Sequence, residues 1–328
     1  MAETPKLVMR KVCKIYATEG GEVEALRDVS LEVAEGEIVC IVGPSGCGKS
    51  TLLNLIAGFE EPDSGEILID GKPPGKPGPD RLIMFQEGAL FPWLTVVDNV
   101  AFGLKMAGYT KEERRALAMA ELEKVGLEKF AKNRIHELSV GMRQRVALAR
   151  ALVMQPRLLL MDEPFAALDA QTRDSLHAQL QELWAEQKMT ILFVTHNVRE
   201  AACLGDRVLV MSPRPATMVA ERRVDAPRPR YIEDDAVIAA ARLLLGDLKK
   251  GMEVHQGAGE EATGSREEGG HHGPASSRND GKERSGREEG AGRGMEVREE
   301  GGAGKKNDAQ GRMLDPTDPT GRTKEASP

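Results

Sequence analysis

Eight residues, Gly43-Pro44-Ser45-Gly46-Cys47-Gly48-Lys49-Ser50, follow directly on the apolar run Glu37-Ile38-Val39-Cys40-Ile41-Val42. The spacing is G-x-x-x-x-G-K-[ST], a strand-to-helix phosphate cradle in which the glycines let backbone N–H groups approach an anion. A helix starting near Lys49 turns its partial positive N-terminus toward the same anion. The pattern predicts a bound nucleoside triphosphate, with Lys49 on the β/γ-phosphates, Ser50 on Mg²⁺ and Thr51 extending the cradle. A second chemical group closes the apolar run Leu158-Leu159-Leu160-Met161, where Asp162 and Glu163 precede Pro164. Two carboxylates at a strand end suit a hydrated Mg²⁺, held by Asp162, and a polarised water beside Glu163. Phosphoryl transfer to water needs in-line positioning and charge neutralisation, and Lys49, Mg²⁺ and one carboxylate base are sufficient apparatus.

These residues need a sheet edge to stand on, and the remaining pattern supplies one. Strand-like runs at Leu7–Ile15, Ala25–Val33, Glu37–Val42, Gly65–Ile69 and Arg81–Phe85 surround the cradle and its helix, which ends at Gly58. From Thr95 to about Met154 the apolar period becomes helical, which predicts a helical insertion over about 88–154. Strand and helix then alternate: Leu158–Met161, Ala170–Lys188, Thr190–Val194, Val198–Leu204 and Arg207–Met211. The expectation is an α/β fold with a mostly parallel, covered sheet, an N-terminal antiparallel β subdomain and a helical subdomain. Ala226-Pro227-Arg228-Pro229-Arg230 reads as a linker and Ile232–Leu248 as a last helix.

Composition divides the chain. Residues 1–248 form the expected domain, whereas 249–328 read as a low-complexity, disordered tail in which Arg-Glu-Glu-Gly recurs at Arg266, Arg287 and Arg298. Overall, 40% hydrophobic residues suffice for a sizeable core, and a formal net charge of −7 argues against a broad nucleic-acid surface. Cys13, Cys40, Cys47 and Cys203 have no C-x-x-C spacing, so neither a disulfide framework nor a zinc site is indicated, and a reducing cytosol fits. Cys47, at a helix start, reads either as an oxidisable thiolate or as a small residue that fits the loop. No stretch approaches the roughly 20 apolar residues of a membrane helix, so any membrane contact is expected to be peripheral.

Upstream of the acidic strand lies Leu138-Ser139-Val140-Gly141-Met142-Arg143-Gln144-Arg145. By itself Ser139 reads as a helix N-cap. Together with the cradle and Asp-Glu-Pro, the segment resembles the ATPase subunit of an ABC transporter, a P-loop NTPase, over essentially Leu7 to Leu248. The resemblance implies ATP and Mg²⁺ as ligands and a head-to-tail dimer, either a homodimer or a pair with a related subunit. In it, Ser139 and Gly141 cap the γ-phosphate held by the opposite subunit. It further implies that Tyr16 stacks on adenine, that Gln86 touches Mg²⁺ and water, that Asp169 crosses the dimer interface and that His196 contacts the γ-phosphate. Read alone, Tyr16 fits strand-end packing and His196 a structural histidine.

Leu90-Phe91-Pro92-Trp93 through Val100, and Ser212-Pro213-Arg214-Pro215, resemble the importer branch that serves nitrate, sulfonates, taurine and related anions. That branch implies an integral-membrane permease seated beside Gln86, an extracytoplasmic solute-binding protein, and a peripheral location on the cytoplasmic face of the membrane. Alternatives are a soluble ABC-type protein of DNA repair or translation, which usually carries a coiled-coil insertion, zinc modules or a second cassette, and an exporter ATPase. One departure stands out: Val140 occupies a position where the family usually has glycine, and its β-branched side chain would slow hydrolysis if positive φ were required there. The retained Ser139, Gly141, Glu163 and His196 favour the alternative, a tolerated valine whose side chain points away.

Overall fold

The computed structural model describes residues 5–86 and 88–264. Three strands, β1 (Leu7–Thr18), β2 (Gly21–Val33) and β4 (Ser64–Ile69), form an antiparallel sheet in the order β2-β1-β4. Six more form the central sheet in the order β5-β6-β7-β3-β8-β9: β5 (Arg81–Met84), β6 (Leu158–Asp162), β7 (Thr190–Thr195), β3 (Ile38–Val42), β8 (Arg207–Met211) and β9 (Met218–Arg223). The first five run parallel and β9 returns antiparallel on the edge.

Why the central strands read as unbroken apolar runs is visible in their two faces. Ile38, Cys40 and Val42 enter one core cluster, with Leu159, Met161, Ile191 and Phe193. Val39 and Ile41 enter the other, with Leu158, Leu160, Leu192 and Val194. Alternate side chains thus bury on opposite faces, and a strand covered on both sides needs no polar alternation. The first cluster packs under α5 (Val140–Leu152), α6 (Ala170–Gln187), α7 (Val198–Leu204) and α8 (Asp235–Gly264); the second lies between the sheet, α1 (Lys49–Ala57) and the antiparallel strands.

The expected helical insertion comprises α2 (Val96–Val100), α3 (Phe102–Met106), α4 (Lys111–Lys124), two short 3₁₀ turns and α5. Its helix starts are set locally. Thr110 and Glu113 form a reciprocal capping box on α4, and Ser139 accepts from the Met142 N–H at 3.3 Å to open α5.

Two expectations are corrected, and one strand was not foreseen. Strand β9 was not foreseen, because its Met-Val-Ala-Glu-Arg-Arg sequence has the charged composition of an exposed edge. The Ala226–Arg230 segment is a packed strap and not a linker. The Arg230 side chain, 4% exposed, donates to the carbonyls of Ala226 (2.9 Å), Val224 (2.9 Å) and Gly205 (2.6 Å), while Gln181 clasps its backbone N–H and C=O at 2.9 and 2.8 Å. Helix α8 runs on to Gly264, so residues 249–264 of the expected tail are helical. Gly251 is buried against Val219 of β9, and Asp247 pairs with Arg222 at 2.7 Å, which extends the helix's support beyond Leu248. The rest of the expected tail lies outside the described residues. Among those that are described, no helix is long and apolar enough to cross a membrane.

Replacing Arg230 with Ala strands several buried carbonyls. The expected cost is about 3 kcal/mol in urea-unfolding stability, and a loss under about 1 kcal/mol would return the strap to the status of a linker.

Candidate active site

Strands β3, β6 and β7 end side by side, and the residues that follow them meet at that carboxyl edge, where parallel α/β sheets place their ligand crevices. A cleft of about 430 Å³ there is lined by Ser45, Gly46, Gly48, Lys49, Ser50, Thr51, Gln86, Asp162, Glu163 and Arg214. Two cradle glycines are required by space. A Cβ on Gly43 would lie 3.0 Å from Cys47 Sγ and 3.1 Å from Met211 Cβ; one on Gly48, whose φ is +127°, would lie 3.0 Å from the Ala25 carbonyl oxygen. Gly48 also caps α1 without any side-chain bond, leaving the first-turn N–H groups for an anion.

Lys49 is 4% exposed, and its Nζ donates to the carbonyls of Gly43 (3.0 Å) and Pro44 (2.9 Å). It also lies 3.4 Å from Glu163 Oε1. Glu163 follows β6 with φ +45°, a left-handed conformation unusual for a non-glycine residue, and its N–H donates to the Val194 carbonyl at 2.9 Å. That turn directs the carboxylate across the cleft: one oxygen faces Lys49 and the other accepts from His196 Nδ1 at 2.7 Å. With Nδ1 engaged as the donor, Nε2 of the half-exposed His196 ring is free for a ligand.

Asp162 sits beside Glu163 in hydrogen-bond contact with Ser50. Burial pushes its carboxyl above the usual range; the neighbouring Glu163 charge adds to this, and the Ser50 bond and Lys49 oppose it. A carboxylate so desolvated gains from a cation. Ser50, Asp162 and Gln86 would hold Mg²⁺, which takes one or two protein groups and completes its shell with phosphate oxygens and water.

Gln86 enters the cleft from the end of β5, and its carbonyl accepts from Gln144 of α5 at 2.8 Å. Arg150 of the same helix donates to the carbonyls of Gly88 (2.7 Å) and Ala89 (2.8 Å). The loop that carries Gln86 is therefore fastened to the helix that begins at Ser139. Tyr16 stands beside α1 in contact with Thr51; its hydroxyl donates to Glu60 at 2.6 Å, and Lys14 Nζ lies 5.5 Å from its ring centroid.

Ser139, Gly141 and Asp169 do not line the cleft. They form a patch of their own, since Gly141 packs on Thr172 so closely that a Cβ would stand 2.5 Å from Thr172 Cγ2, and the Thr172 N–H donates to Asp169 at 2.9 Å to cap α6. Val140 is the first helical residue of α5 and is 42% exposed, so no positive φ is asked of it and its side chain points away from this packing. Cys47 is buried, and burial pushes its thiol up against the opposing pull of Lys49, which favours the small-residue reading over the thiolate.

The sequence pattern missed Arg214 as a site residue. The loop between β8 and β9 is braced by Ser212 Oγ, which accepts from the Thr217 N–H at 2.9 Å, and is docked on β2 through Arg27 N–H to Ala216 O at 2.9 Å. It presents the Arg214 guanidinium, which donates to the Gly46 carbonyl at 2.6 Å and makes no ion pair among the described residues. Only an arginine in a doubly proline-flanked strand-end loop signalled it. Arg214 thereby lines the same cleft as the phosphate cradle. Arg214→Ala is expected to weaken MgATP binding about tenfold, the ~1.4 kcal/mol of one charge-assisted hydrogen bond. Equilibrium binding of a fluorescent ATP analogue reads this directly, and an unchanged affinity would remove Arg214 from the site.

Comparison with known proteins identifies the family. The sequence profile of the ABC transporter family matches residues 26–166. An uncharacterised ABC transporter ATP-binding protein of Methanocaldococcus jannaschii is 48% identical over 244 residues, which cover 74% of this chain and 91% of the relative. A taurine import ATP-binding protein of Burkholderia pseudomallei is 47% identical over 232 residues, covering 71% and 89%. Among solved structures, a dimeric bacterial ABC transporter cassette superposes with a TM-score of 0.61 at 33% identity, covering 67% of this chain and all of that one. A post-hydrolysis form of the same cassette, bound to ADP and Pi, gives 0.60 at 34% identity with the same coverage. The chain belongs to the ABC transporter family as one of its ATP-hydrolysing, ATP-binding subunits, alongside the taurine import ATP-binding proteins.

Proposed function

We propose that this chain powers the import of a small anionic solute, such as nitrate, a sulfonate or taurine, through a separate membrane permease. The observation that carries the hydrolytic part is the Lys49–Glu163–His196 arrangement at the mouth of the phosphate cradle. ATP would lie with its phosphates on the N-terminus of α1, between Lys49 and Arg214, and with adenine against Tyr16. Mg²⁺ held by Ser50, Asp162 and Gln86 would supply neutralisation of phosphate charge. Glu163 would orient the attacking water and take its proton, and His196, with a proton on each ring nitrogen, would donate Nε2–H to a γ-phosphate oxygen while Nδ1–H keeps the carboxylate aimed.

The patch of Ser139, Gly141 and Asp169 supports a shared site. Its α5 N-terminus is a ready anion-binding group that does not line its own chain's cleft, so it would close over the nucleotide of a second copy. A second, apolar groove of about 380 Å³ borders the Gln86 loop and is lined by Phe85, Phe91, Phe102, Arg150 and Met154, among others. Trp93, 67% exposed and 5.5 Å from Phe91 between ring centroids, stands at its rim. An exposed aromatic beside an apolar groove is what a short permease helix would grip, and Arg150 would pass its position to the loops at Gly88 and Gln86. The solute class rests on the likeness to taurine import proteins, and the partner protein outside the membrane rests on it too.

Trp93→Ala is expected to leave the turnover of the isolated chain within about twofold while weakening permease association by about 2 kcal/mol or more, read in co-purification and in permease-stimulated ATPase rate. Uptake of radiolabelled taurine, sulfonate and nitrate by cells with and without the gene tests the solute class. Uptake of all three unchanged by its deletion would contradict it.

A further inference from the structure

Beneath His196 lies a buried polar knot that the hydrolytic scheme does not use. Glu200 of α7 is 3% exposed, an unfavourable place for a carboxylate unless donors surround it. Both of its oxygens are occupied: Oε1 accepts from His177 Nε2 at 2.9 Å, and Oε2 accepts from the Thr195 hydroxyl. That hydroxyl in turn accepts from the Asn197 N–H at 3.0 Å, and Asn197 Oδ1 accepts from the N–H groups of Arg199 and Glu200 at 3.0 and 3.4 Å. Thr195 and Asn197 flank His196 on either side, so the backbone that carries the histidine is gripped at both neighbours. His196 itself has one described hydrogen bond, the one to Glu163.

The knot reaches further through His177. This residue is 2% exposed on α6, the helix that Asp169 caps, and its ring meets Phe165 edge-on at 5.6 Å between centroids. Phe165 follows Glu163 by two positions, is fully buried, and its carbonyl accepts from Arg173 of α6 at 3.3 Å. The second nitrogen of His177 has no hydrogen-bond partner; Asp174 lies 3.9 Å away. A simple packing role would be met by an apolar residue at Glu200, His177 and Thr195, with less desolvation.

We propose that Glu200 is a positioning residue for hydrolysis: through Thr195 it sets His196 against Glu163, and through His177 it makes the start of α6, with Asp169, part of the same rigid unit. This rests on the reading that His196 and Glu163 act on bound ATP. Movement of α6 when a partner seats on Asp169 would then be felt at His196 without either residue changing its own contacts with nucleotide.

The test is steady-state ATPase kinetics on the full chain for Glu200→Ala, Glu200→Gln, Thr195→Val and His196→Ala, with ATP affinity and melting temperature measured for each. Glu200→Ala is expected to lower kcat about tenfold or more while KM for ATP stays within about twofold, since a misplaced group costs the chemical step more than binding. Glu200→Gln, which keeps an acceptor for Thr195, should recover most of that loss. Thr195→Val preserves shape and removes only the hydroxyl; it should reproduce the kcat defect even if Glu200→Ala does not fold. Adding Thr195→Val to His196→Ala should lower kcat no further, because both act through one group. Loss of kcat in proportion to melting temperature and affinity, with no rescue by glutamine, would reduce the knot to a structural role and overturn the inference. An undiminished kcat in His196→Ala would instead refute the underlying reading of the histidine.

Discussion

A carboxylate held between a buried ammonium and an imidazole organises this molecule. Glu163 can occupy that place only because β6 stops at Asp162 and the next residue turns left-handed, with its N–H tied to Val194 of the neighbouring strand. The turn separates two adjacent acids that would otherwise repel at one spot. Asp162 stays beside Ser50, while Glu163 crosses toward Lys49 and His196. A backbone conformation of this kind carries strain of order 1–3 kcal/mol, which the doubly buried sheet around it can absorb.

The sheet also explains why the parts remain in register. Strands β3, β6 and β7 are covered on both faces, and each delivers one functional element at its carboxyl end: the cradle, the acid pair and the histidine. A one-residue slip in any of these strands would exchange its two buried faces and move that element by more than 3 Å. Helices do the second task. Helix α5 joins Ser139 at one end to Gln86 and the loop after it through Gln144 and Arg150, and α6 joins Asp169 to the buried base of His196 through His177. The loops that carry Gln86 and His196 are thereby attached to the helices that begin at Ser139 and Asp169, the arrangement a machine driven by ATP and read by a partner requires.

Much of this was legible in the residues. The cradle and Asp162-Glu163 follow apolar strands whose pattern points to phosphate chemistry, the role of His196 came from the family resemblance, and α7 and β8 fall where their patterns place them. What escaped reading depended on contacts that no local pattern reports. Strand β9 has an edge strand's charged composition, and the Ala226–Arg230 strap has a linker's prolines, yet Arg230 is among the most tightly bonded side chains in the chain. Arg214 and Glu200 look in sequence like ordinary charged surface residues. Only the fold brings one to Gly46 and buries the other under His196. Val140 is helical and exposed, in line with its reading as a tolerated departure, so the missing glycine asks nothing of the backbone.

The central claim is that Glu163 performs the hydrolytic step at a site completed by a second copy of the chain. ATP turnover of the wild-type chain and of Glu163→Gln, with ATP-dependent dimerisation followed by size-exclusion chromatography, tests it most directly. The account predicts turnover in the wild type, a rate lowered about 10²–10⁴-fold in the variant, and a variant that accumulates as a stable ATP-bound dimer. Turnover retained in the variant, or a variant that binds ATP and remains monomeric at every concentration, would contradict it.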